Sequence, residues 1–161
     1  VIEDFEMWAR ATEWGAFARS SKWVWATTET LHFIGLSMLI GTVGTFDLRL
    51  LGLAKSIPVA ALHRLIPFGI AGYLINAVTG SLFLFGYPDQ YLYNRAFQFK
   101  IAFMTIAGIN ILFFYSSAFR EAKAIGPNED ASARLRIIAG VSFFAWVAVL
   151  TCGRLLTFYR P

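Results

Sequence analysis

Four apolar stretches govern how this chain can fold, because each approaches or exceeds the roughly 20 residues a helix needs to cross about 30 Å of hydrocarbon. They run approximately 23–46, 65–85, 97–119 and 135–156. The first reads WVWATTETLHFIGLSMLIGTVGTF and the last LRIIAGVSFFAWVAVLTCGRLL. Pro58 and Pro67 fall around the start of the second stretch, where a missing amide proton costs little. Composition agrees: 57% of the 161 residues are hydrophobic and 15% are charged, too few charges to coat a water-soluble domain of this size. Lipid is therefore the expected solvent. The fold these features predict is an all-α, integral membrane four-helix up-and-down bundle, a single domain over 1–161, with no fifth span and no internal repeat.

Residues 1–22 carry too many charges to insert, yet place Phe5, Trp8 and Phe17 at roughly helical spacing. They predict an amphipathic helix lying in the interface, with Trp8 and Trp14 at headgroup depth. Aromatic residues also gather at one expected end of the bundle: Trp23 and Trp25, then Tyr87, Tyr91 and Tyr93, then Phe158 and Tyr159. The other end is made by the connections 47–64 and 120–134.

Net charge is +4, but the 14 Lys and Arg residues are scattered and form no stripe of the kind that binds nucleic acid. Seven lie on each side of the predicted bundle, Arg49 counting with the connections and Arg160 with the termini. Setting aside Lys100 and Arg154, which fall within or beside apolar runs, leaves seven against five. Both termini are then expected outside the cell and the two basic connections in the cytoplasm. The single cysteine, Cys152, excludes an internal disulfide and reads as a small apolar residue in a buried helix.

Ionisable side chains inside a span cost about 2.5–3.5 kcal/mol each on insertion scales, which makes them candidates for function. Four stand out, all toward the aromatic end: Glu29 and His32 on the first helix, Lys100 on the third and Arg154 on the fourth. Glu29 and His32 are three residues apart and share a helix face, with His32 roughly 14 Å below Trp23 by helix rise. Pairing of Glu29 with Lys100 or Arg154 would cancel charge in low dielectric and leave His32 as a deeper, neutral imidazole. The alternative is an ion-pair network that only sets helix register. The functional expectation is a polar pocket in the outer leaflet, its mouth lined by Tyr91, Tyr93 or Trp25, holding haem b, a metal ion or a quinone headgroup. His32 and His63 differ in depth by roughly 12–15 Å on helix rise, so one haem between them is disfavoured. His32 could ligate a haem alone or across a dimer, or join Glu29 in half of a metal site.

Small residues recur every fourth position at Ser37, Gly41 and Thr45 and again at Gly72, Asn76 and Gly80, predicting close helix seams or dimer faces. Asn76 is expected to bond across helices to Thr42, Thr45 or Asn110.

The stretches TLHFIGLSMLIGT, DLRLLGL, AVTGSLFLF and YLYNRAFQFK resemble an uncharacterised small bacterial four-helix inner-membrane protein family. More distantly, the chain is similar to the membrane region of copper-resistance protein D and to small b-type cytochromes, in which a His enters the first helix and a Thr-Gly sits in a following one. The resemblance implies a multi-pass protein of the bacterial inner membrane, redox- or metal-linked, with His32 and Lys100 at matching positions. The chain departs from the cytochrome pattern in lacking further intramembrane histidines. Two other expectations stand beside electron transfer: a non-catalytic accessory subunit of a larger membrane complex, and a small transporter that works as a homo-oligomer.

Overall fold

The computed structural model describes residues 2–159. Val1, Arg160 and Pro161, and with them the Arg160 of the charge count, lie outside the described residues. Within that range the chain forms nine helices and no strand: α1 (Ile2–Ala11), α2 (Glu13–Arg19), α3 (Lys22–Leu50), α4 (Val59–His63), α5 (Ile66–Gly86), α6 (Pro88–Leu92), α7 (Arg95–Ser117), α8 (Phe119–Lys123) and α9 (Ala133–Leu155). Four helical segments, Lys22–Leu50, Val59–Gly86, Arg95–Ser117 and Ala133–Leu155, are long and apolar enough to cross a membrane.

Local chemistry places their ends. Ser21, Asn94 and Ser132 cap α3, α7 and α9 by accepting from the amides of Trp23, Ala96 and Leu135 at 3.2, 2.9 and 3.3 Å. A proline stands in the first turn of α5. The first span runs four residues past the expected Phe46. Nothing in Asp47–Leu50 breaks a helix, and the chain turns only at Gly52, whose φ is +107°. The amides of Leu53 and Gly52 bond the carbonyls of Leu48 and Arg49 at 3.0 and 3.1 Å, a Schellman closure that needs a residue able to take the left-handed conformation.

Helix α3 packs on α5 and on α9, and α9 on α7, while α5 and α7 share no comparable seam. The order across the bundle is thus α5, α3, α9, α7. Contacts set the register: His32 meets Thr79, Gly35 meets Gly72 and Asn76, and Thr42 abuts Gly69, so the start of α3 lies beside the end of α5. Likewise Lys100 lies beside Gly153, Phe103 packs on Phe144 at 6.0 Å, and Asn110 donates to the Ile138 carbonyl at 3.1 Å. A Cβ on Gly72 would press on the Gly35 carbonyl and come within 2.8 Å of the Leu39 amide nitrogen. Only bare backbone fits there, and that lets α3 and α5 approach closely.

The expected small-residue seams are half right. Gly72 and Asn76 do face α3, but Ser37, Gly41 and Thr45 are exposed, and a Cβ on Gly41 would touch nothing within 4 Å. The seam on α3 uses Gly35, Leu39 and Thr42 instead, one helical face over. Asn76 donates to the Gly72 carbonyl of its own helix at 2.9 Å and not across to Thr42, Thr45 or Asn110.

Residues 2–19 form two helices where a single interfacial helix over 1–22 was expected. Thr12 interrupts them, accepting from the Gly15 amide at 3.1 Å and so starting α2. Neither helix stands off the bundle. Arg19 donates to the Gly86 carbonyl at 3.0 Å, Trp14 to Ser81 at 3.1 Å, and Trp8 packs on Phe85 at 5.6 Å. Arg10 pairs with Asp89. Outward-facing Met7, Trp8 and Phe17 remain exposed.

At the opposite end the two long connections are laced together. The Asn128 amide bonds the Lys55 carbonyl at 2.7 Å, and Lys55 and Arg136 both pair with Asp130, at 2.7 and 2.8 Å. Beneath them a core of Phe46, Leu50, Val59, Leu62, Phe114, Leu135 and Ile138 is buried.

Candidate functional site

The four charged residues singled out from the sequence, and Tyr91 at the expected mouth, are only partly brought together. His32 lies half-buried against α5, its Nδ1 2.7 Å from Thr79 Oγ1 and its ring 5.5 Å from Phe83. Lys100 is half-buried on α7, its ammonium near Gly153 and close enough to act electrostatically on His32. Glu29 is exposed and faces Tyr91. Burial, with the Glu29 carboxylate adding to it, pushes the Tyr91 phenol up to about 12. Arg154 is exposed, its guanidinium over the Phe158 ring at 5.9 Å.

No ion pair among the described residues joins Glu29 to Lys100 or Arg154. The expected charge-cancelling pair does not form, because Lys100 turns toward α9 and Arg154 toward the chain end. Nor does any group of three or more His, Cys, Asp and Glu among the described residues gather closely enough to hold a metal ion. His63 stands at the end of α4, 3.2 Å from the Tyr115 hydroxyl and packed on Phe119.

The most buried charges lie elsewhere. Asp47 and Arg49, assigned from the sequence to a connection, sit in the last turns of α3 with 4% and 1% of their surface exposed. Two residues apart on a helix, they point to different places. Arg49 faces the connections and donates to the carbonyls of Ile57, Gly126 and Glu129 at 2.6, 3.0 and 3.2 Å, tying both loops to α3. Asp47 faces inward. Withdrawing Arg49 from the charge count and restoring exposed Arg154 leaves six basic residues on each side, so the count no longer favours either orientation.

Asp47 lines a cavity of about 340 Å³ walled by residues of all four long helices. Its walls are mostly apolar: Leu39, Val43 and Phe46 from α3, Ile66 and Ile70 from α5, Met104, Ile111 and Phe114 from α7, and Ile138 from α9. The polar groups are few. Ser142 and, one turn further along α9, Trp146 line the wall with Asp47. Asp47 Oδ2 and Trp146 Nε1 are both buried without any hydrogen-bond partner. Tyr73, Asn110 and Tyr115 complete the set.

Leaving a buried acceptor and a buried donor unmatched costs about 1–3 kcal/mol each. A cavity of this size is at the lower end of small-molecule pockets, and its combination of apolar walls with a few polar groups is typical of them. The arrangement can therefore hold a molecule that offers both a hydrogen-bond donor and an acceptor on an otherwise apolar body.

Sequence reasoning missed this site by ending the first span at its first charge. The available signal was Gly52, the first glycine beyond the end of the apolar run, where a helix end becomes favourable. Running the helix to that glycine would have put Asp47 and Arg49 inside it.

No protein-family model matches the chain, and comparison with curated proteins and with solved structures finds no match.

Proposed function

We propose that this is a multi-pass membrane protein, built as an up-and-down bundle of four spans, that binds a small amphiphile in the cavity between them. The antiparallel contacts of α3 with α5 and of α7 with α9, together with the apolar length of all four segments, support the topology. The observation that carries the binding reading is the pair of unmatched buried groups, Asp47 Oδ2 and Trp146 Nε1, on the wall of one apolar cavity.

Among the expected ligands, haem b, a metal ion and a quinone, the quinone class suits this cavity. A hydroquinone ring is apolar and flat, its hydroxyl can donate to Asp47, and its other oxygen can accept from the Trp146 indole. Metal ligation by His32 with Glu29 has no third His, Cys, Asp or Glu beside it among the described residues. The family resemblance supports a bacterial inner membrane; periplasmic termini are kept as the orientation to test, the basic residues dividing evenly between the two ends.

The test uses detergent-purified protein and a decyl-substituted benzoquinol as probe. Wild type is expected to bind it, and Asp47→Asn and Trp146→Phe to weaken binding by roughly tenfold or more apiece, one charged or buried hydrogen bond being worth about 1.4 kcal/mol or more. Equal binding by wild type and both variants overturns the reading. A visible haem band in the purified protein that disappears in His32→Ala would move the function to the other end of the bundle.

A further inference from the structure

The cavity is walled by four helices, yet one wall is incomplete. Helices α5 and α7 stand at the two ends of the packing order and share no comparable seam, so the gap between them is where the bundle fails to close. Lining residues change character across that gap. Asp47 and Trp146, on α3 and α9, are only 4% and 6% exposed, whereas Ile70 and Tyr73 on α5 and Tyr115 on α7 are 56%, 41% and 44% exposed while lining the same cavity. Gly108 on α7 lines it too, is exposed, and a Cβ built there would meet nothing within 4 Å. A single continuous space thus runs from the unmatched polar pair to the flank of the bundle.

The end of the bundle nearest Asp47 is shut. His63 bonds Tyr115 at 3.2 Å and stacks with Phe119 at 4.7 Å, Phe46 packs on Phe114 at 5.6 Å, and the laced connections held by Arg49 lie beyond. Polar solutes from the water on that side meet aromatic rings and paired backbone. The flank offers Ile70 and the rings of Tyr73 and Tyr115, and along a membrane span the flank faces acyl chains.

Resting on the proposal that the cavity binds an amphiphile, we infer that its occupant enters sideways from the lipid, between α5 and α7, and keeps an apolar tail in that gap while its polar head reaches Asp47 and Trp146. The ligand class this selects is a tailed ring compound dissolved in the bilayer, such as an isoprenoid quinol, and not a water-soluble headgroup of the same chemistry. Gly108 keeps the mouth open, because any side chain there projects into unoccupied space on the rim.

The experiment compares two probes against the full-length protein in phosphatidylcholine vesicles: a decyl-substituted benzoquinol and the same ring with no tail. Gly108→Trp and the smaller Gly108→Leu obstruct the mouth, while Gly41→Trp adds equal bulk at an open position on the outside of α3. Helical circular dichroism and the thermal profile confirm that each variant is folded. The expected result is a loss of tenfold or more in affinity for the tailed probe in Gly108→Trp, a smaller loss in Gly108→Leu, and no change in Gly41→Trp. The tail-less ring, which has no tail to seat in the gap, is expected to bind wild type weakly and to lose less affinity in Gly108→Trp than the tailed probe does. Wild-type affinity of Gly108→Trp for the tailed probe overturns lateral loading, and the cavity reading survives that result if Asp47→Asn still loses the probe. Loss of both probes in both Gly108 variants also counts against the portal, since the new side chain has then filled the cavity and not closed its mouth. If Asp47→Asn binds as wild type does, both inferences fall.

Discussion

Replacing Arg49 with methionine tests whether a single buried cation organises one whole end of the molecule. Methionine keeps most of the aliphatic length and removes the guanidinium. Arg49 is 1% exposed and donates to three carbonyls, those of Ile57, Gly126 and Glu129, at 2.6, 3.0 and 3.2 Å. Hydrogen bonds from a charged donor contribute about 1.5–3 kcal/mol each, so three have a gross value of roughly 4.5–9 kcal/mol. Against this stands the cost of burying a guanidinium with one nitrogen, Nη1, left unpartnered, which takes back several kcal/mol. The variant also leaves three carbonyl oxygens without a donor at the junction of the connections. The balance gives a net destabilisation of about 3–5 kcal/mol, the usual result of breaking a buried charged network. Arg49→Lys is expected to recover less than half of it, because one ammonium cannot span three carbonyls on two loops. Equilibrium unfolding by SDS in mixed micelles measures the difference, and proteolysis between Gly126 and Ser132 reads out the loosened loop directly. A loss under about 0.5 kcal/mol with an intact loop would refute the reasoning and make Arg49 a passive passenger.

Other outcomes follow from the same geometry. Gly72→Leu drives a side chain into the backbone of Gly35 and Leu39, which cannot give way as a flexible side chain would; a loss of about 3 kcal/mol or failure to assemble is expected in the same SDS titration. Tyr91, pushed up to about 12 first by burial and then by Glu29, stays neutral where an ordinary tyrosine has begun to ionise. Its raised folded value means the contribution to stability is complete below about pH 10 and fades as pH rises toward 12; the ultraviolet phenolate difference between wild type and Tyr91→Phe shows this, and Glu29→Gln moves the transition down. A cysteine at exposed Pro127 is expected to react with an impermeant maleimide only after spheroplasts are lysed, because the connections are proposed to be cytoplasmic; labelling of intact spheroplasts reverses the orientation.

The fold was largely legible because apolar length is a property of composition, and four runs long enough to span hydrocarbon admit few architectures. Ends marked by a local cap, such as Ser21, Asn94 and Ser132, lie within two residues of where hydropathy put them. The first span's far end was misjudged since a charge reads as water-exposed in sequence, whereas Asp47 is buried on the cavity wall and Arg49 is held inside by the carbonyls of Gly126 and Glu129, far along the chain. No local pattern carries such pairings. The same holds for the small-residue stripes, since Gly35 and Gly41 are equivalent in sequence and only the direction of α5 decides which one is covered. Of the residues expected to form a site at the aromatic end, His32 and Lys100 are half-buried and Glu29 and Arg154 are exposed, and whether two of them meet depends on side-chain direction. Lys100 leans on Gly153 and leaves Glu29 to face Tyr91.

Photocrosslinking asks most directly where the ligand sits. A benzoquinol carrying a diazirine on its decyl tail is added to the protein in vesicles, irradiated, and the adducts are mapped by mass spectrometry. The account predicts adducts on α5 and α7 around Ile70, Tyr73 and Gly108, lost when unlabelled decyl benzoquinol competes or when Asp47 is changed to Asn. Adducts spread evenly over the outer faces and insensitive to both treatments, or concentrated around His32 and Tyr91, would contradict it.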